Sequence, residues 1–207
     1  MPKPSAMARS GAGQQHRTAR TARVQGITGD SAVFVKLNLD GQGIADVETG
    51  MPFYDRMIAQ LGHQGGFDVH VRARTSLGSC ARRCAGDTAL ALGRAVRGAL
   101  GDLRGLRRYG DALVPLDDAL CRAAVHLTGQ PLLALTEPPA TALIGSDEAP
   151  PTRHIWESFT AGARLSLDIQ VLEGRYARHV SECQFKAAAQ ALREAVRLDD
   201  VPGNTAG

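Results

Sequence analysis

Aromatic residues are scarce in this 207-residue chain, 4% against a hydrophobic content of 43%, so its core must rest on leucine, valine and alanine. Four cysteines (Cys80, Cys84, Cys121, Cys183) are too few for a disulfide scaffold at this length. Cys80 and Cys84 have the spacing of half a zinc site, but no second pair accompanies them, and small semi-buried thiols are the simpler reading. No apolar run is long enough for a signal peptide or a membrane span, so a cytoplasmic protein without a membrane partner is expected. Net charge is only +3. Arginine supplies nearly all of the positive side, which suits anion recognition but leaves no nucleic-acid footprint.

No acidic residue precedes Asp30. Residues 1–23 lack apolar periodicity and read as a flexible basic tail, and 201–207 as a short C-terminal one. Order is expected from about Ser31, where Val33, Val35, Leu37 and Leu39 alternate with polar or outward positions as in a half-buried strand. A short helix around 53–62, a strand over Phe67–Val71 and strands at 112–115 and 119–127 follow. The Pro-rich stretch "TEPPATALIGSDEAPPTR" marks a break. Beyond it come a helix around Ile155–Ala161, a strand over Leu165–Leu172 and a final helix.

Two helices share a design. Ala89, Leu92, Val96, Ala99 and Leu100 form one apolar face, and Phe185, Ala188, Ala189, Leu192, Ala195 and Val196 form the other. A shift of 96 residues overlays "ARRCAGDTALALGRAVRGAL" on "ARHVSECQFKAAAQALREAV", with the same order of elements upstream of each. An internal duplication explains this. The expected fold is α+β: a domain over 30–200 made of two repeated sheet-plus-helices halves, about 30–115 and 116–200. The helix starts differ in chemistry. His179 and Glu182 lie three residues apart, a spacing that can offer one divalent cation an imidazole and a carboxylate, whereas Arg83 and Gly86 stand in the matching places.

The segments "LNLDGQG", "ETGMPFYDRMIAQLG", "GGFDVHVRA", "RGLRRYGDALVPLDDAL", "LTGQPLL" and "FKAAAQALREAV" resemble, in order, those of the imidazoleglycerol-phosphate dehydratases of histidine biosynthesis. The resemblance covers most of the chain from Asp30 to Asp200. It implies a duplicated two-layer sandwich of the kind seen in domain 2 of ribosomal protein S5. It also implies trimers that metal ions help build into a twenty-four-subunit cage, and active sites between subunits holding two manganese ions against the substrate imidazolate.

Mapped onto this chain, the family's Asp-His-Met reads Asp55-Arg56-Met57. Its first His-His-x-x-Glu reads Arg82-Arg83-Cys84-Ala85-Gly86, and its second reads Arg178-His179-Val180-Ser181-Glu182. The resemblance leaves His179 and Glu182 as metal donors, with Asp168 as a substitute for the lone ligand histidine of the second half. Arginine is permanently protonated and cannot ligate a metal. Arg56, Arg82, Arg83 and Arg178 therefore point to a pocket whose positive potential is fixed protein charge, suited to phosphate or carboxylate. Arg108 and Lys186 match family substrate contacts, while Gln130 replaces an arginine and Gln64 a histidine. The family's acid–base glutamate maps to Asp30, and Glu182 is the other candidate base. The phosphate-closing segment of the family is replaced by "VPGNTAG".

The expectation is a divergent homologue with no metal cofactor, or manganese(II) if the family activity survives. Its expected partners are a small phosphorylated or carboxylated metabolite, further copies of itself as a trimer or larger cage, or an active dehydratase paralogue. Standard dehydration is the alternative to an anion-binding or chemically altered protein.

Overall fold

The structure, a computed structural model, describes residues 19–28, 31–75, 81–145 and 152–199. Two four-stranded sheets carry two long helices each. The first sheet contains β1 (Thr21–Thr28), β2 (Ser31–Asn38), β3 (Ala45–Glu48) and β4 (Asp68–Thr75), in the order β1-β2-β4-β3. Its helices are α1 (Pro52–Gly65) and α2 (Ala81–Leu100). The second contains β5 (Tyr109–Leu116), β6 (Ala119–His126), β7 (Leu132–Thr136) and β8 (Ser166–Glu173), in the order β5-β6-β8-β7, with α3 (Arg153–Ala163) and α4 (Ala177–Ala195). In each sheet only the short third strand pairs in parallel. The duplicated α+β architecture is present.

Alternation fixes which sheet face is covered. Val33, Val35 and Leu37 of β2 are buried beneath the helices while Lys36 is exposed. In the second sheet Cys121, Ala123 and Val125 of β6, with Leu167 and Ile169 of β8, do the same. Helix α2 packs on β1 and β2, and α4 on β5 and β6. Across the molecule α2 meets α3, and α1 meets α4. The helices therefore lie between the sheets, and one continuous apolar cluster runs through both halves.

The α2–α3 crossing depends on glycine. A methyl group on Gly93 would lie 2.3 Å from the Phe159 carbonyl oxygen, and one on Gly162 would lie 2.3 Å from that of Leu90. With no side chain at either position, the two backbones touch. The contacts run in parallel, Gly86 beside His154 and Gly93 beside Phe159, so the two helices begin at the same end.

Two expectations are corrected here, and the spacing of the halves is refined. Residues 21–23, assigned to the tail, begin β1, which pairs residue for residue with β2 from Thr21↔Asn38 to Thr28↔Ser31. Its mixed composition, with Gly26 in the middle, hides the strand, and cross-strand pairing supplies what propensity lacks. The half boundary at 115/116 would split the β5–β6 hairpin. That hairpin belongs wholly to the second sheet, so the division falls between α2 and β5. Finally, one shift does not relate the halves. The hairpins are offset by 88 residues (Thr21 to Tyr109), α2 and α4 by 96 (Ala81 to Ala177), and β4 and β8 by 98 (Asp68 to Ser166). The extra residues lie between β7 and α3, in the Pro-rich stretch.

Candidate functional site

Arg56, Arg82, Arg83, Gly86 and Arg178 gather near the starts of helices α1, α2 and α4. Helix α1 opens with Pro52 in its first turn, where the missing N–H costs nothing. It closes at Gly66 in the left-handed conformation (φ 70°). Its twin α3 closes at Arg164 with φ 54°, the same left-handed geometry. The two caps are 98 residues apart, the offset of β4 and β8. That register makes His154 of α3 the counterpart of Arg56 of α1.

Each half-site therefore pairs one long helix with the short helix of the other half. In the first, Gly86 of α2 faces α3, with exposed Arg82 and Arg83 one turn before it. A methyl on Gly86 would lie 2.4 Å from His154 Nε2, so the imidazole fills the space that a longer side chain at 86 would need. In the second, Arg178, His179 and Glu182 open α4, which packs on α1. Sequence reasoning missed His154. The signal that finds it is the left-handed cap shared by Gly66 and Arg164, which sets the register through the insertion.

Both retained donors already have internal partners. His179 Nδ1 lies 2.5 Å from Asp118 Oδ1, and its Nε2 is 3.6 Å from Asp117 Oδ2. Asp118 Oδ2 also accepts the backbone N–H groups of Arg175 (2.6 Å) and Tyr176 (3.2 Å), tying the β5–β6 turn to the start of α4. The His179 hydrogen bond, with those backbone donors, holds the Asp118 carboxyl down at about 2. Glu182 Oε1 accepts from Lys186 Nζ at 2.9 Å, one turn along the helix.

The arginines are unpaired. Arg56, Arg82, Arg83 and Arg178 are exposed, and neither they nor half-buried Arg108 make a side-chain hydrogen bond or ion pair among the described residues. Neither α2 nor α4 has an acidic residue in its first turn, so these cations sit at the positive end of each helix dipole, where they are disfavoured. A cleft of about 280 Å³ opens beside the first half-site, lined by Met51, Pro52, Phe53, Tyr54, Ala81, Arg82, Ala85, His154 and Ile155.

Other expected site residues lie elsewhere. Asp168 sits on the helix-free face of β8, between buried Leu167 and Ile169, where it lines a shallow surface with Tyr109, His126 and Ser166. Within one chain it does not join His179 and Glu182, which lie beneath the other face of that sheet. Arg108 has φ 67° and its backbone N–H donates to Ala195 O at the far end of α4 (2.9 Å). It does not meet Lys186 within one chain. Gln64 donates nothing to the helix starts; its amide oxygen accepts from Gln190 at 3.0 Å. Asp30 and Cys80 lie outside the described residues. Cys84, Cys121 and Cys183 are buried. Burial pushes the Cys84 thiol up, and contact with Cys183 together with burial does the same to Cys121, so both are structural thiols.

A buried polar chain links the two halves of the helix layer. Trp156 Nε1 donates to Gln184 Oε1 at 3.0 Å, Gln184 Nε2 to Glu137 Oε2 at 2.8 Å, and Thr152 Oγ1 to the same carboxylate oxygen at 3.0 Å. It fixes the start of α3, and hence His154, against α4.

The family model for imidazoleglycerol-phosphate dehydratase matches residues 49–192. The chain belongs to the imidazoleglycerol-phosphate dehydratase family. It is 55% identical to an imidazoleglycerol-phosphate dehydratase of Acidothermus cellulolyticus, over 92% of each chain. It is 54% identical to one of Frankia casuarinae, over 87% of this chain and 93% of the relative. In fold it is similar to the crystal structures of the enzymes from Pyrococcus furiosus, in complex with (S)-C348 (TM-score 0.75, 22% identity, 88% of this chain and 98% of the other), and from Staphylococcus aureus (TM-score 0.73, 20% identity, 86% and 99%).

The residues present do not fit a pair of manganese ions within one chain. Among the described residues no three His, Cys, Asp or Glu side chains converge on one point. His154 occupies the space over Gly86, and the positions around the surviving donors carry guanidinium groups. No helix among the described residues is long and apolar enough to cross a membrane.

Proposed function

We propose that this protein acts in the chemistry of its family, as a carbon–oxygen lyase that removes water from imidazoleglycerol phosphate or a close analogue. The observation that carries this reading is the 55% identity to a named dehydratase over 92% of both chains. Glu182 serves as the base that takes the proton from carbon, with Asp30 as its acid–base partner, and the hydroxyl leaves as water. Lys186 Nζ donates to Glu182 Oε1 and holds that carboxylate in place. Arg108 and Lys186 from neighbouring copies contact the phosphate. The assembly is a homo-oligomer.

The donor set argues against the two-manganese form of this reaction, and a second reading rests on it. Four unpaired arginines at the ligand positions favour a protein that binds an anionic metabolite without dehydrating it. Two guanidinium groups per half-site repel a dication and attract phosphate or carboxylate.

One assay separates the two. The purified protein is incubated with imidazoleglycerol phosphate, with and without manganese, and product ketone and bound metal are measured. Turnover supports the first reading, and its dependence on added manganese measures how much metal chemistry remains. No turnover, no metal uptake and a rise in melting temperature with the substrate support the second. In that case the variant with Arg56, Arg82, Arg83 and Arg178 changed to His and Gly86→Glu regains manganese uptake if the scaffold is otherwise intact.

A further inference from the structure

We propose that the cleft between the starts of α1, α2 and α3 is a binding site for a small monoanion with a flat apolar body, a single-ring aromatic carboxylate. This deepens the second reading above, anion binding without the metal pair, and rests on it.

The walls set the body of the ligand. Met51, Pro52, Phe53, Ala85 and Ile155 line the cleft. Tyr54 is buried and already donates its hydroxyl to Ala85 O at 3.0 Å, so the floor offers a ligand only apolar contact. The mouth sets the charge. Arg82 and His154 are the lining side chains with free polar groups, since neither makes a hydrogen bond or ion pair among the described residues. Among the described residues no acidic side chain lines the cleft. A carboxylate can take two parallel bonds from the Arg82 guanidinium while its ring lies against Phe53 and Ile155.

Size narrows the class. The cleft holds about 280 Å³, below the roughly 300–1,000 Å³ typical of sites for drug-sized ligands, which favours one ring over two. A bare inorganic anion would leave the apolar walls uncovered, and a neutral ring would leave the guanidinium without a partner.

The test titrates the full chain with benzoate, benzamide and inorganic phosphate, observed by heteronuclear NMR. Benzoate is expected to saturate shifts of Ala85 and Ile155. Benzamide should bind at least about tenfold more weakly, as expected for losing a charge-assisted contact, and phosphate should not displace benzoate. Arg82→Gln should weaken benzoate about tenfold, and Ala85→Leu, which fills the cleft, should abolish binding. Arg82 is exposed, so its variant remains informative even if Ala85→Leu fails to fold. Absence of benzoate binding overturns the proposal, as does equal affinity in wild type and Arg82→Gln, or a cleft already filled by the chain's own residues. Binding of phosphate without benzoate removes this site alone and leaves the wider anion reading standing.

Discussion

The contact of α2 with α3 can be tested by adding one methyl group. In Gly93→Ala the new carbon would lie 2.3 Å from Phe159 O and 2.7 Å from Ala163 N. Ordinary contact begins near 3.4 Å, so about 1 Å of separation is needed. The opposing atoms are backbone and cannot rotate aside. Overpacking of this kind costs about 1–3 kcal/mol, and a clash with two backbone atoms belongs at the upper end. Alanine recovers roughly 1 kcal/mol of helix propensity, leaving a net loss of about 2 kcal/mol. For a chain of this size that is a fall of roughly 4–8 °C in melting temperature. Gly98→Ala is the internal control. It lies in the same helix, but its new carbon would meet only the Ala22 side chain, at 3.2 Å, so it should be neutral or gain up to about 1 kcal/mol. Urea melts followed by circular dichroism give both values. If Gly93→Ala is as stable as Gly98→Ala, the close crossing is refuted, and with it the argument that it holds Gly86 against His154.

Two further outcomes are expected. The Asp118 carboxyl is held at about 2, below its ordinary 3.8, with its bond to His179 the largest cause. Its contribution to stability is therefore complete above the unfolded value and is lost as pH falls from 3.8 towards 2; urea midpoints measured across that window should fall more steeply for wild type than for Asp118→Asn, and parallel curves would refute the assignment. Gln184→Leu leaves Trp156 Nε1 without an acceptor and removes one donor from Glu137. It should cost about 1–3 kcal/mol in the same melts, and a neutral result would show that the buried chain does not hold α3 against α4.

The long amphipathic helices and the buried strands β2, β4, β6 and β8 were legible because each carries its own period. The strands that sequence reasoning missed, β1, β3 and β7, are made by pairing. β3 and β7 are four and five residues long, too short to show alternation against background. The position of the second short helix relative to the first was hidden for a different reason. The insertion between β7 and α3 changes the offset from 88 to 98 residues, and a single shift of 96 drawn from α2 and α4 does not carry across it. Asp168 shows the offset of 98 that relates the two sheets. It is the counterpart of His70, on the outer face of β4, where His70 bonds Asp46 at 2.9 Å.

The core and the candidate site live on different surfaces. The core is held by residues such as Leu37, Met57, Ile58, Trp156, Leu165 and Phe185, all fully buried, and by glycines whose replacement would push backbones apart. These positions tolerate little change, and they are what similarity over the full length measures. The donor positions are the opposite case. Arg56, Arg82, Arg83 and Arg178 are exposed near helix starts, where a substitution alters the fold by a fraction of a kcal/mol through the helix dipole. His179 secures the β5–β6 turn through Asp118, and Glu182 pairs with Lys186. Overall likeness to the dehydratases is therefore carried by the buried scaffold, while the charge at the helix starts is set by exposed side chains that the scaffold does not constrain.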